Sequence, residues 1–332
     1  MRIPTLALSV APVWMGVEAA LYEFRARDIS ASSGTTVAVA FLCLGVALFL
    51  QIAANFANDY SDGVHGADAN RGANSGVIES IDIDVAAENG YTREEIDEVL
   101  QRAAPTRLVA SGVPPKHVLI AAIVNAVLAC ACGIAVCVLT GHWWLILVGA
   151  MCVAAAWFYV GGPKPYGYMG FGELVAFVFF GLVATLGTQY ALCGTITGYG
   201  WYGAAVIGLV AAIVLSINNL RDIHTDAAAG KRTLEVRIGE RASTVMICVA
   251  IGVVLLAMLI PWSVLWITID SSLENLTIIS GYAATLGSIV LILISVVAIL
   301  DVAHHRFRNA MKNMLWIALA VALVYFGMMM SL

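Results

Sequence analysis

The sequence predicts an all-α integral membrane protein, a bundle of about nine transmembrane helices with a polar cleft on its cytoplasmic side. Three observations carry that reading. Of 332 residues, 61% are hydrophobic and only 12% charged, with a mean hydropathy of +0.90, whereas soluble domains carry about 25% charge. Apolar runs of about bilayer length recur along the chain. The basic residues gather on one side of those runs. A soluble fold would need polar surface all round, and 17 Lys and Arg with 22 Asp and Glu cannot supply it. A net charge of −5 and a pI near 5.6 argue against a nucleic-acid partner, which calls for a basic face.

The expected spans are 4 to 24, 36 to 58, 117 to 139, 142 to 160, 172 to 194, 203 to 220, 243 to 267, 277 to 300 and 313 to 331. Pro12, Trp14 and Glu18 interrupt the first run, and no convincing small-residue cleavage site follows, so it reads as a span and not as a signal peptide. Seven cysteines lie in or at the ends of apolar runs without zinc-site or disulfide spacing, and they read as small core hydrophobes. With the N-terminus inside, 15 of the 17 basic residues fall on the cytoplasmic side and only Arg25 and Arg27 on the other. That asymmetry predicts a multi-pass protein of the cell membrane with its polar loops cytoplasmic. The whole chain, 1–332, is expected to form one transmembrane domain, with an acidic loop insertion at 73–104. Within the insertion, Thr92 and Glu95 form a capping box ahead of an amphipathic helix over 93–104.

Ionisable groups at membrane depth are costly, so their placement is informative. The second span ends with Asn55, Asn58, Asp59 and Asp62 at i, i+3, i+4 and i+7, on one helix face, and Asp68 follows a Gly-rich turn. The sixth ends with Asn218, Asp222 and Asp226 at i, i+4 and i+8, again on one face, and with Asn219 beside them. Carboxylates one turn apart repel unless cations neutralise them. Either motif alone fits a solvated loop with ordinary capping. Two of them, four spans apart, would hold Mg²⁺, which favours a few carboxylates together with water and phosphate oxygens. Arg71 follows the first motif and Lys231, Arg232 and Arg237 follow the second. Carboxylates for the metal with basic groups alongside are what a diphosphate requires. If the bundle is two four-helix halves plus one helix, the acidic faces meet across a cleft.

At these residues the sequence resembles the UbiA-type superfamily of intramembrane aromatic prenyltransferases, along the whole chain. Asn58-Asp59-Tyr60-Ser61-Asp62 matches the Asn-Asp-x-x-Asp core of that family's first motif, and Asp222-Ile223-His224-Thr225-Asp226 matches its second. The third acid of the first motif would fall at Gly66, and the nearest one, Asp68, is similar in spacing to the naphthoate branch. Asn218-Asn219-Leu220-Arg221-Asp222, Gly230-Lys231-Arg232-Thr233-Leu234, the run from Tyr159 through Lys164 to Glu173, and Pro105-Thr106-Arg107-Leu108-Val109-Ala110-Ser111-Gly112 resemble the same branch, the 1,4-dihydroxy-2-naphthoate polyprenyltransferases of menaquinone synthesis. In relatives that last segment follows the first motif after a short link, whereas here about thirty residues intervene.

The resemblance implies two Mg²⁺ ions held by Asp59, Asp62, Asp68, Asp222 and Asp226, with Asp62, Asp222, Asp226 and Lys164 in catalysis. It also implies Asn55, Asn58, Arg71, Arg107, Tyr159, Tyr166, Asn218, Asn219, Lys231 and Arg232 on the substrates, a polyprenyl diphosphate and 1,4-dihydroxy-2-naphthoate. Ionisation would give an allylic cation, and alkylation with loss of the ring carboxylate would give demethylmenaquinone. Tyr159, Tyr166 or Tyr168 is then either a cation-stabilising face or an interfacial packing residue. Lys164 and Arg107 are each either a substrate contact or a topology signal. His65 and His224 read as surface residues, and His304, His305, Arg306 and Arg308 as a headgroup-facing cluster. Glu18 is either a buried hydrogen-bonded group or a cleft residue, and Glu173 reads as structural. The alternatives are a sister enzyme with another acceptor such as 4-hydroxybenzoate, or a divalent-cation transporter, whose carboxylates would lie nearer the midplane.

Overall fold

The computed structural model describes residues 3–29, 34–64, 108–160, 166–268 and 275–331. Its helices are α1 (Ile3–Ala26), α2 (Gly34–Val64), α3 (Pro115–Thr140), α4 (Leu145–Val160), α5 (Gly172–Cys193), α6 (Gly198–Arg221), α7 (Ile223–Ala228), α8 (Leu234–Ile238), α9 (Glu240–Thr268), α10 (Asn275–Ala303) and α11 (Phe307–Ser331). No strand occurs among the described residues. Seven helices (α2, α3, α5, α6, α9, α10 and α11) are long and apolar enough to cross a membrane, and α1 and the shorter apolar α4 coincide with the other two expected spans. The chain is a multi-pass, all-α membrane protein. The helices overrun the apolar runs because backbone pairing continues past the last lipid-facing residue. So α2 carries the acidic motif in its final turns.

The core sits where α1, α6, α9, α10 and α11 converge, around Met15, Ile207, Ile217, Met258, Leu291, Met314 and Tyr325. Two of these, α6 and α11, are the most enclosed helices, while α2 and α3 pack together with largely outward apolar faces. Exposed Ile123, Val127, Leu147, Trp157, Leu286 and Leu293 have lipid as their natural solvent. A one-turn π segment, Phe177–Val183, interrupts α5 where it crosses α6. At that crossing a Cβ on Gly181 would meet Ala204 O at 2.7 Å and Gly208 N at 2.9 Å, so only glycine allows the backbones this close.

The second motif spans a junction between two helices. Helix α6 ends at Arg221, Asp222 is a junction with φ −92° and ψ 8°, and α7 begins at Ile223. The helical bonds Asp222 N–H to Asn218 O (3.1 Å) and Asp226 N–H to Asp222 O (2.8 Å) survive, so the register continues across the break. Past α7, Gly230 takes φ +75°, a left-handed turn suited to glycine. It lets the chain double back, so that Lys231 N–H donates to Asp226 O at 2.9 Å.

Candidate active site

The two acidic motifs meet at one end of the bundle. Asp62, in the last turn of α2, is fully buried, and its Oδ1 accepts from Lys231 Nζ at 3.0 Å and from the Tyr168 hydroxyl at 2.9 Å. Lys231 Nζ also stands 4.0 Å from Asp226 Oδ1 and 4.6 Å from the Tyr168 ring centre. One buried ammonium thus balances a carboxylate from each motif, with an aromatic face as its third neighbour. A buried carboxylate without such partners would be strongly disfavoured.

The loop that brings Lys231 there is stitched to the turn before α5. Arg232 N–H donates to Tyr168 O at 2.9 Å, Arg237 Nη2 to Met169 O at 2.7 Å, and Arg237 Nε to Arg232 O at 3.2 Å. These backbone-directed bonds fix Tyr168 and Lys231 relative to each other. Arg232 is therefore tied in through its main chain.

The other predicted site residues divide. Asp59 caps the chain before α3, accepting from Leu108 N–H at 2.9 Å and Val109 N–H at 3.4 Å. Asp222 is forked by Arg221, with Nε to Oδ1 at 2.9 Å and Nη2 to Oδ2 at 3.1 Å. Asn55 and Asn58 lie half-buried on α2. Asn218 bonds back to Val214 O at 3.2 Å, and Asn219 Nδ2 donates to Glu173 Oε1 at 2.6 Å. Tyr159 and Tyr166 meet edge to face with ring centres 5.6 Å apart, and the Tyr166 hydroxyl donates to Ala155 O. Asp68, Arg71, Arg107, Lys164, His65 and the 73–104 insertion lie outside the described residues.

Among the described residues no three His, Cys, Asp or Glu side chains gather around one point. The donor set nevertheless suits Mg²⁺. Two hard carboxylates from separate elements converge on a cation position, and this ion takes few protein ligands when phosphate and water complete its shell. Asp62 and Asp226 would hold it, with Asp59 and Asp222 within the same motifs.

The residues that the sequence reading undervalued are Tyr168, Glu173 and Glu235. Glu235, on α8, is fully buried, and burial first and the Glu173 charge second push its carboxyl up to about 7. Its position two residues past a Thr233 cap reads in sequence as ordinary helix-start chemistry, and nothing local signals that it meets Glu173.

A membrane bundle closing over a buried site of acids and lysine is the framework of an intramembrane enzyme. The model of the UbiA prenyltransferase family matches residues 9–273. Proteins named 1,4-dihydroxy-2-naphthoate octaprenyltransferase are similar to this chain. The one from Mycobacterium tuberculosis is 38% identical over 79% of this chain and 78% of its own length. The one from Escherichia coli is 32% identical over 72% and 67%. The solved apo structure of a UbiA homologue from Aeropyrum pernix K1 superposes with a TM-score of 0.59 at 16% identity, covering 97% of this chain and 98% of that one. The chain belongs to the UbiA prenyltransferase family, and it is a polyprenyltransferase.

Proposed function

We propose that the protein transfers a polyprenyl group from polyprenyl diphosphate to 1,4-dihydroxy-2-naphthoate with loss of the ring carboxylate, giving demethylmenaquinone and diphosphate in menaquinone biosynthesis. The observation that carries the reading is the convergence of Asp62 and Asp226 on Lys231, one residue from each motif. The names of the relatives support the aromatic acceptor. The active end would face the cytoplasm in a bundle of nine crossings, as the basic-residue asymmetry argues.

When bound, Mg²⁺ supplies charge neutralisation for the departing diphosphate. The chain's own residues do the rest. Asp62 and Asp226 would hold the metal, and Lys231, placed between them, would offer its ammonium to diphosphate oxygens. Arg221, which forks Asp222, would add a second basic contact. The Tyr159–Tyr166 pair and the Tyr168 ring offer electron-rich faces to an allylic cation. The surrounding apolar helices exclude water from it. The carbon bearing the carboxylate of the acceptor attacks, a ring hydroxyl gives up its proton as the ring becomes a keto acid, CO₂ leaves, and a proton returns to oxygen.

The test is a membrane assay with labelled polyprenyl diphosphate and either 1,4-dihydroxy-2-naphthoate or 4-hydroxybenzoate, with and without Mg²⁺, for wild type and Asp62→Ala. A Mg²⁺-dependent prenylated naphthoquinol lost in Asp62→Ala supports the reading. Product from 4-hydroxybenzoate alone would overturn the acceptor assignment.

A further inference from the structure

Behind the acid–lysine cluster lies a second acidic pair that the reaction as described does not use. Glu173, at the start of α5, and Glu235, on α8, are both buried and are mutual polar neighbours. Glu173 Oε2 and both Glu235 oxygens are shielded from solvent and make no hydrogen bond of good geometry among the described residues. Two carboxyls so enclosed oppose each other's ionisation. The upward displacement of Glu235 to about 7 agrees with this.

Asn219 connects the pair to the polar end of α6. Its Nδ2 donates to Glu173 Oε1 at 2.6 Å, and Glu235 lies on the same amide. The half-buried Asn219 thus has one N–H bonded to Glu173 and its nitrogen turned toward the acids. With the amide turned this way its oxygen is presented to a partner, and an amide oxygen accepts from a hydroxyl and gives no hydrogen bond to diphosphate oxygens, which only accept. The surroundings are aromatic: a Cβ on Gly172, next to Glu173, would lie 3.5 Å from the Tyr159 hydroxyl, and Tyr159 packs on Tyr166. Lys231, Asp62 and Asp226 offer charge, whereas this corner offers ring faces and one oriented acceptor oxygen.

We propose that Asn219 recognises a ring hydroxyl of the aromatic acceptor through its amide oxygen, and that Glu173, backed by Glu235, is the positioning residue that fixes the amide that way round. The inference rests on the prenyl-transfer reading above and extends it to how the acceptor is chosen. A site built to pair with a hydroxyl rejects analogues lacking it, because the amide oxygen would be left unpaired. Glu173→Leu frees the amide to rotate, whereas Glu173→Gln keeps an oxygen that accepts from Asn219.

The experiment measures KM for 1,4-dihydroxy-2-naphthoate, KM for the polyprenyl diphosphate and the Mg²⁺ concentration for half-maximal rate in membranes carrying wild type, E173L, E173Q, N219A and the E173L/N219A double variant. Expected are a roughly tenfold higher acceptor KM for E173L and N219A, a double variant no worse than N219A, E173Q within about twofold of wild type, and unchanged diphosphate KM and Mg²⁺ dependence. An unchanged acceptor KM in E173L overturns the inference, as does an equal rise in both KM values, which would mark a structural role. A shift in Mg²⁺ dependence in N219A overturns it in favour of a metal contact. Should E173L fail to accumulate, N219A carries the same expectation and an unchanged acceptor KM there is decisive against it. Absence of any naphthoate product from wild type would instead sink the functional reading, and this inference with it.

Discussion

Lys231 and Asp62 form a buried ion pair at 3.0 Å between residues 169 positions apart in the chain, and the same ammonium reaches Asp226 at 4.0 Å. The pair joins the end of α2 to the loop after α7. Removing the ammonium alone takes the balancing positive charge from both buried carboxylates.

Lys231→Met should therefore destabilise the protein by about 3–5 kcal/mol, the usual cost of breaking a buried pair from one side. The double variant D62N/K231M should recover most of that loss. Thermal unfolding of the detergent-solubilised protein reads both, and a double variant less stable than K231M would show that the pair is not the source.

Tyr168→Phe deletes a hydrogen bond to Asp62 Oδ1 and leaves the ring beside Lys231. A hydrogen bond to a charged group contributes about 1.5–3 kcal/mol. We expect roughly a tenfold lower kcat, corresponding to about 1.4 kcal/mol expressed at the transition state, with the polyprenyl diphosphate KM little changed. Steady-state kinetics in membranes decide it.

Chelation with EDTA should abolish prenyl transfer, and Mg²⁺ should restore it. Titrating Mn²⁺ into purified protein and following its spin-resonance signal gives a readout independent of turnover. Loss of Mn²⁺ binding in Asp62→Asn is expected, and retention of wild-type binding there would remove Asp62 from the metal site.

Stability should also depend on pH through Glu235. Its carboxyl sits at about 7 in the folded protein against an ordinary 4.5. A raised folded-state value means that the folded protein holds the proton more tightly, so this contribution is fully present below about pH 4.5 and is lost as pH rises through 7. Melting temperatures should fall from pH 5 to pH 8, and E235Q should flatten that slope. An equal slope in E235Q would show that other groups set it.

Gly181→Ala should cost about 1–3 kcal/mol, the range for overpacking, because its Cβ would press on the backbone of α6 at Ala204 and Gly208. A melt unchanged from wild type would mean that the α5–α6 crossing relaxes to admit a methyl group.

Much of this was legible in the sequence. The apolar runs placed the helices to within a few residues, because an apolar stretch of bilayer length satisfies its own backbone in hydrocarbon by forming a helix. The spacing of Asn58, Asp59 and Asp62, and of Asp222 and Asp226, marked the polar end of the bundle, since carboxylates at helical intervals are too costly at that depth to be incidental. The break at Asp222 was not legible, because the i, i+4 pattern reads the same whether a helix continues or pauses for one residue. The division of labour among the acids was hidden too. Asp59 caps a chain start and Asp222 meets Arg221, while Asp62 and Asp226 face Lys231.

By itself, the sequence determined the solvent, the helical class, the positions of the spans and the chemistry of the polar residues, all of which follow from local composition and period. Only the tertiary structure decided which residues meet. Lys231 reaches Asp62 because Gly230 turns the chain back and Arg232 ties it to Tyr168, and Glu173 finds Glu235 because α5 and α8 are both packed against α6. Such meetings depend on the path of the backbone between distant segments, and no local pattern encodes that path.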